Sequence, residues 1–203
     1  MASKTSICNK ALRKLSKDNI IDIDTDTTQE ARLCRAAYDE VLEEVLRDYN
    51  WNFAIYRQAL NEDTSNPPSY GFSRRFVLPT LPKFLKLISV KDNIDFKMEG
   101  NTLLTNEEAV SIAFVGLVND PNKYDSIFTQ ALSARLASEI AYSLTSDKKL
   151  VQSTQAEYLA SLQRAKDIDY QDDLNTPIRE SAWLGSRFIS RGFNIKFSPI
   201  EDA

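Results

Sequence analysis

The spacing of apolar residues changes twice along this chain, and the double change restricts the folds open to it. Leu33, Ala37, Val41, Leu42, Val45, Leu46 and Tyr49 recur at three and four, and the same spacing returns between Tyr124 and Ile168. Between them, over 51–118, apolar residues come in short β-type runs at 53–60, 75–78, 84–90, 94–98, 102–104 and 110–118. Turn signals separate the runs, among them Asn66-Pro67-Pro68, Lys91-Asp92-Asn93 and Glu99-Gly100-Asn101. The first spacing buries one stripe of a helix, and the second half-buries a strand. The fold class is therefore α+β. The expected organisation is a four-helix bundle from 1–50 and 119–170, a small β-domain inserted at 51–118, and an extended C-terminal arm at 171–203.

A first helix is expected over 4–15, with Ile7, Ala11, Leu12 and Leu15 on one face and Lys10, Arg13 and Lys14 on the other. Ile20, Ile21 and Ile23, interleaved with Asp22, Asp24 and Asp26, read as an extended connector. Thr27-x-x-Glu30 has the pattern of a capping box opening the second helix. Met98 and Thr102 flank Glu99-Gly100-Asn101 as a hairpin would, and Asp120-Pro121 marks the start of the third helix. Apolar and small residues cover most of that helix's circumference, as befits a central position. A fourth helix is expected over 147–168, with Leu150, Val151, Tyr158, Leu159, Leu162 and Ala165 inward. A connection of two or three residues makes it antiparallel to the third.

Composition removes several chemistries. The 203 residues contain no histidine and two cysteines, Cys8 and Cys34. Nucleophile pairs that need imidazole, His-rich zinc sites and structural zinc or iron-sulfur sets are excluded. With five glycines and no Gly-x-Gly-x-x-Gly or Gly-Lys-Ser/Thr loop, neither standard phosphate cradle can form. No catalytic residue, cofactor or metal is assigned. The first twenty residues are too rich in lysine and arginine for a signal peptide, and no run reaches the ~18 apolar residues of a membrane span, so a reducing cytoplasm is the expected site of assembly. With 25 basic and 29 acidic residues the net charge is −4, too acidic for a protein that grips DNA.

Carboxylates are the remaining acid/base groups. Asp22, Asp24 and Asp26 form the densest set, ahead of Asp169, Asp172 and Asp173, and acidic runs of this kind are ordinarily solvated connectors. A calcium loop is unsupported, because the glycine and the distal glutamate are missing. Lys83, Lys86 and Lys91 beside Phe84 and Phe96 invite a nucleic-acid reading, but Asp92, Asp95 and Glu99 dilute the charge. Trp51 and Phe53 are read as a core plug at the junction of helices and β-domain, and the cysteines as small buried hydrophobes. The arm alternates arginines with large apolar groups and has no period: Arg179, Trp183, Arg187, Phe188, Arg191 and Phe193. Aromatic residues beside arginines match the enrichment at interface hot spots, so the arm is read as docking on a partner.

A family resemblance runs from residue 9 to residue 187. It is carried by Asn9-x-Ala11-Leu12-x-x-Leu15, Glu30-Ala31-Arg32, Tyr38-Asp39, Leu46-Arg47, Trp51-Asn52-Phe53-Ala54, Phe76-Val77-Leu78-Pro79, Phe128 with Leu132, Arg135-Leu136-Ala137, Ile140-Ala141 and Trp183-Leu184 with Arg187. In their order and spacing these segments resemble the phage tail tubular protein A family, the head-to-tail adaptors of short-tailed phages. The resemblance implies a structural virion protein of the tail. It would form a twelve-membered ring below the portal protein, receive the tail nozzle protein and continue the DNA channel without specific binding. It also implies a portal contact through 175–199. One departure is Ser16, which stands where a glycine is implied, so the turn ending the first helix is expected to differ. At −4 per chain, twelve copies carry about −48, a charge that lets DNA slide. The rival readings are a carboxylate-dependent glycan hydrolase of the tail, with two carboxyl groups about 5 to 10 Å apart, and a free-standing protein-interaction module.

Overall fold

Ser3 and Ser6 start the first helix by satisfying each other's ends. Ser6 N–H donates to Ser3 Oγ at 3.0 Å, and Ser3 N–H donates to Ser6 Oγ at 2.9 Å. In this computed structural model, which describes residues 3–173 and their side chains as far as 168, α1 runs Lys4–Lys14 and buries Ile7, Cys8, Ala11 and Leu12. Its end is closed by Ser16 and Lys17, whose amides donate to the Arg13 and Leu12 carbonyls at 3.1 and 3.0 Å, the Schellman pattern. Ser16 has φ 54, so a serine adopts the left-handed conformation that favours glycine.

α2 spans Gln29–Asp48, and its N-cap is Thr28 rather than Thr27. Thr28 Oγ1 accepts from Ala31 N–H at 3.3 Å, while Asp26 accepts the Thr28 amide and fixes the residue before the helix. The buried stripe is Ala31, Cys34, Tyr38, Val41, Leu42, Val45 and Leu46. α3 (Ser126–Thr145) begins later than Asp120-Pro121 suggested. Asp120 caps only the single 3-10 turn Pro121–Lys123; Tyr124 then turns inward, and Asp125 caps α3 by accepting from Phe128 N–H at 2.6 Å. Eleven of the twenty residues of α3 are buried, as its apolar and small composition requires.

α4 (Lys148–Asp173) follows after Ser146 and Asp147 and runs beyond the expected end at 168. Ser138 donates to Gln155 across the two helices at 3.1 Å, at equal remove from the connection, as antiparallel neighbours do. Tyr158, Leu162 and Ala165 of α4 join the helical core, whereas Leu159, expected inward, is 56% exposed. Residues up to Lys166 form one unit, and Asp167 begins a second, of which only the last residues of α4 are described.

The middle of the chain forms seven strands in two antiparallel sheets. β1 (Ile55–Ala59), β7 (Ser111–Gly116) and β4 (Phe84–Val90) lie in the order β1-β7-β4; β2 (Asn61–Glu62), β3 (Arg74–Val77), β6 (Thr102–Thr105) and β5 (Phe96–Glu99) lie in the order β2-β3-β6-β5. The hairpin of β5 and β6 turns at Gly100, φ 58, with Glu99 paired to Thr102. Two clusters of buried side chains result. One joins the helices with Trp51, Ala54, Leu85, Val115 and Val118; the other holds Leu60, Phe76, Leu78, Leu103, Val110, Ile112 and Phe114. β7 serves both, sending Val115 to the first and Ile112 and Phe114 to the second. Phe76 and Phe114 are at most 1% exposed, and each contributes about 1.5–3 kcal/mol by burial. The described chain is thus α+β, with four helices and two antiparallel sheets.

Candidate functional site

The six residues read as a docking arm, Arg179, Trp183, Arg187, Phe188, Arg191 and Phe193, lie outside the described residues, as do the side chains of Asp169, Asp172 and Asp173. The other candidate groups can be built from their elements. Where the chain leaves α2 for the strands, Trp51 is 2% exposed, and its indole Nε1–H donates to the Val45 carbonyl at 2.9 Å. Phe128, from the first turn of α3, meets Trp51 edge-on with ring centroids 5.0 Å apart, and meets Phe53 at 5.0 Å and Tyr124 at 4.7 Å. Tyr124 donates its hydroxyl to the Val118 carbonyl at 2.7 Å. One aromatic cluster therefore gathers the end of α2, the residues leading into β1, the chain leaving β7 and the start of α3. The β segment departs and returns at a single packed point.

The acidic connector is organised by a cation that sequence reasoning missed. Arg35, on α2, donates to the carbonyls of Ile23, Asp24 and Asp26 at 2.6 to 3.0 Å. Asp22 accepts from the Asp24 amide and the Thr25 hydroxyl, and Asp26 from the amides of Ile21 and Thr28. Those amide bonds, chiefly that of Thr28, hold the Asp26 carboxyl below the usual carboxylate range. Ile20 and Ile23 anchor the connector in the helical core at 4% exposure each, and Ile21 is left 93% exposed. No signal in the sequence marked Arg35, because its partners are backbone oxygens nine to twelve positions away.

Lys83 is paired with Glu43 of α2 at 2.6 Å, and Lys91 lies 3.9 Å from Asp92. Phe84 stacks on Phe114 at 5.6 Å, and Phe96 packs against the second core, so these aromatic rings are committed to packing rather than presented beside the lysines. Cys8 and Cys34 are buried and unbridged. Hydrogen bonding with Cys34 and burial hold the Cys8 thiol above its ordinary range. Arg135 of α3 clamps Glu44 of α2 with Nε–Oε1 at 3.0 Å and Nη2–Oε2 at 2.9 Å, a bidentate tie between helices. Lys14 is paired with Glu157, and Tyr158 donates to Asp48, joining α4 to α1 and α2.

Among the described residues no group of three or more cysteine, aspartate or glutamate side chains is arranged to hold a metal ion, and no helix is long and apolar enough to cross a membrane. No family model matches the chain, and no curated protein matches it.

Proposed function

We propose that this chain is a structural adaptor of the head-to-tail kind, whose copies close into a ring between a portal protein and a tail nozzle and continue the DNA channel within a virion. The four helices are read as one bundle carrying the β segment as an insertion, with 171–203 as the arm that docks on the portal. What carries the reading is the ordered series of segments from Asn9 to Arg187, which resembles the tail tubular protein A family. The departure and return of the β segment at the Trp51–Phe53–Phe128 cluster is compatible with it, since an inserted β-domain must enter and leave a helical body at adjacent points. Ring closure through heterologous contacts requires two different faces on each copy.

Function then resides in assembly rather than chemistry. On this reading portal binding and ring formation are coupled, since burying aromatic groups on a partner drives association. The test is to mix the purified chain with the portal protein of the same virion and measure particle mass by light scattering, with electron microscopy of the product. A ring seated on the portal is expected, together with its loss on Trp183→Ala combined with Arg187→Ala. A chain that stays small beside the portal overturns the reading, and so does a ring that forms equally well with both substitutions.

A further inference from the structure

The loop between β2 and β3 covers part of a sheet face, and beneath it lies a cation without a counterion. In the β3-β6-β5 register Arg75 and Lys97 both stand opposite Leu104, so these three share one face, while Phe76, Leu103 and Met98 belong to the other and pack in the second core. Leu104 is only 4% exposed, and with Tyr70 and Phe72 of the loop it lines a cavity of about 210 Å³. Lys97 is paired with Glu99 at 2.7 Å. Arg75 has no ion pair among the described residues, and its Nε is shut from solvent without a hydrogen-bond acceptor. A buried guanidinium N–H left unmet is costly, and an acceptor that displaced the atoms covering it would remove that cost.

Charge and shape specify the ligand. Arg75 and Lys97 against Glu99 leave one uncompensated positive charge, which a monoanion neutralises. The edge of a guanidinium formed by Nε and one Nη offers two parallel donors, which match the two oxygens of a carboxylate. A phosphate dianion asks for a second free cation, and Lys97 is already engaged. We propose that the cavity under the 68–72 loop binds a carboxylate, held side-on by Arg75, with the carbon stem of the ligand against Phe72 and the exposed ring of Tyr70. The carboxylate comes either from an acidic side chain of another polypeptide or from a free small acid. This site does not depend on the adaptor reading.

The experiment is a titration of the isotope-labelled chain followed by NMR at the Arg75 Nε–Hε and at the backbone amides of Phe72 and Leu104. The titrants are sodium acetate and a capped Gly-Glu-Gly peptide, with sodium chloride and inorganic phosphate as comparisons. A saturable shift is expected with a carboxylate and not with chloride. It should weaken by roughly tenfold in Arg75→Lys, which keeps the charge and loses the fork, and disappear in Arg75→Gln. Should Arg75→Gln not fold, Arg75→Lys and Tyr70→Ala carry the comparison. Saturation by the peptide alone identifies a protein side chain as the source, and equal response to acetate identifies a free acid. The proposal is overturned if neither carboxylate saturates the site, if Arg75→Lys binds like the parent, or if phosphate binds more tightly than both.

Discussion

A serine held at φ 54 is an expensive way to end a helix, and Ser16 is held there by its neighbours. Its amide and that of Lys17 close on the Arg13 and Leu12 carbonyls, and Leu15, the residue before it, is buried at 3% exposure. An L-residue in that conformation costs about 1–2 kcal/mol relative to glycine, part of which glycine returns through its freer unfolded chain. The Ser16 hydroxyl makes no hydrogen bond among the described residues that would offset this. Ser16→Gly is therefore expected to raise stability by about 0.5–1 kcal/mol, seen as a higher denaturant midpoint at unchanged slope. A lower midpoint would show that the serine side chain contributes something the turn geometry does not reveal. The sequence carried the absence of glycine but not the closure that overrides it, because hydrogen bonds between backbone groups leave no residue-type signature.

At the scale of elements, hydrophobic period located most of what forms. Residues 84–90 form β4, the Glu99-Gly100-Asn101 hairpin turns where its glycine stands, and α2 ends at Asp48 with Tyr49 as its cap. Two features were misplaced for physical reasons. Asp120-Pro121 has the chemistry of a helix start and does cap a turn, but the inward rotation of Tyr124 ends that turn, and Asp125 restarts the helix. β2 has only Asn61 and Glu62, both exposed, and no alternation can be read from two residues. The acidic connector was legible as a connector, but not as one latched by Arg35. That latch predicts a local effect: Arg35→Gln removes a charged donor from three carbonyls and should cost about 1–2 kcal/mol, discounted for the exposure of the site. Amide exchange should accelerate in residues 20–28 while α2 keeps its protection. Uniform acceleration throughout the helices, or none in the connector, would refute the latch.

The whole molecule depends on pairings that no local pattern announces. β7, last of the strands, lies between β1 and β4, and its alternation, read as half-buried, instead feeds two cores at once. The helical core also encloses three tyrosines from three helices or their approaches: Tyr38 at 1%, Tyr124 at 8% and Tyr158 at 2% exposure. Burial raises all three phenols above their ordinary range, and in Tyr158 the hydrogen bond to Asp48 raises it further. Once unfolded, each would titrate near the ordinary value of about 10. Above that pH the unfolded chain has lost protons that the folded chain keeps, so stability, intact below pH 10, falls as pH rises toward the folded values. Each tyrosine steepens the fall by about 1.4 kcal/mol per pH unit. Denaturant unfolding across this range should therefore show a steep alkaline loss, and the share of tyrosinate absorbance that comes from these three of the eight tyrosines should appear together with unfolding rather than before it. Tyr158→Phe should make the limb shallower by about one proton while lowering stability at neutral pH through the lost bond to Asp48. Tyrosinate that forms fully while the helices remain intact would mean that the three phenols are reached by solvent in the folded chain.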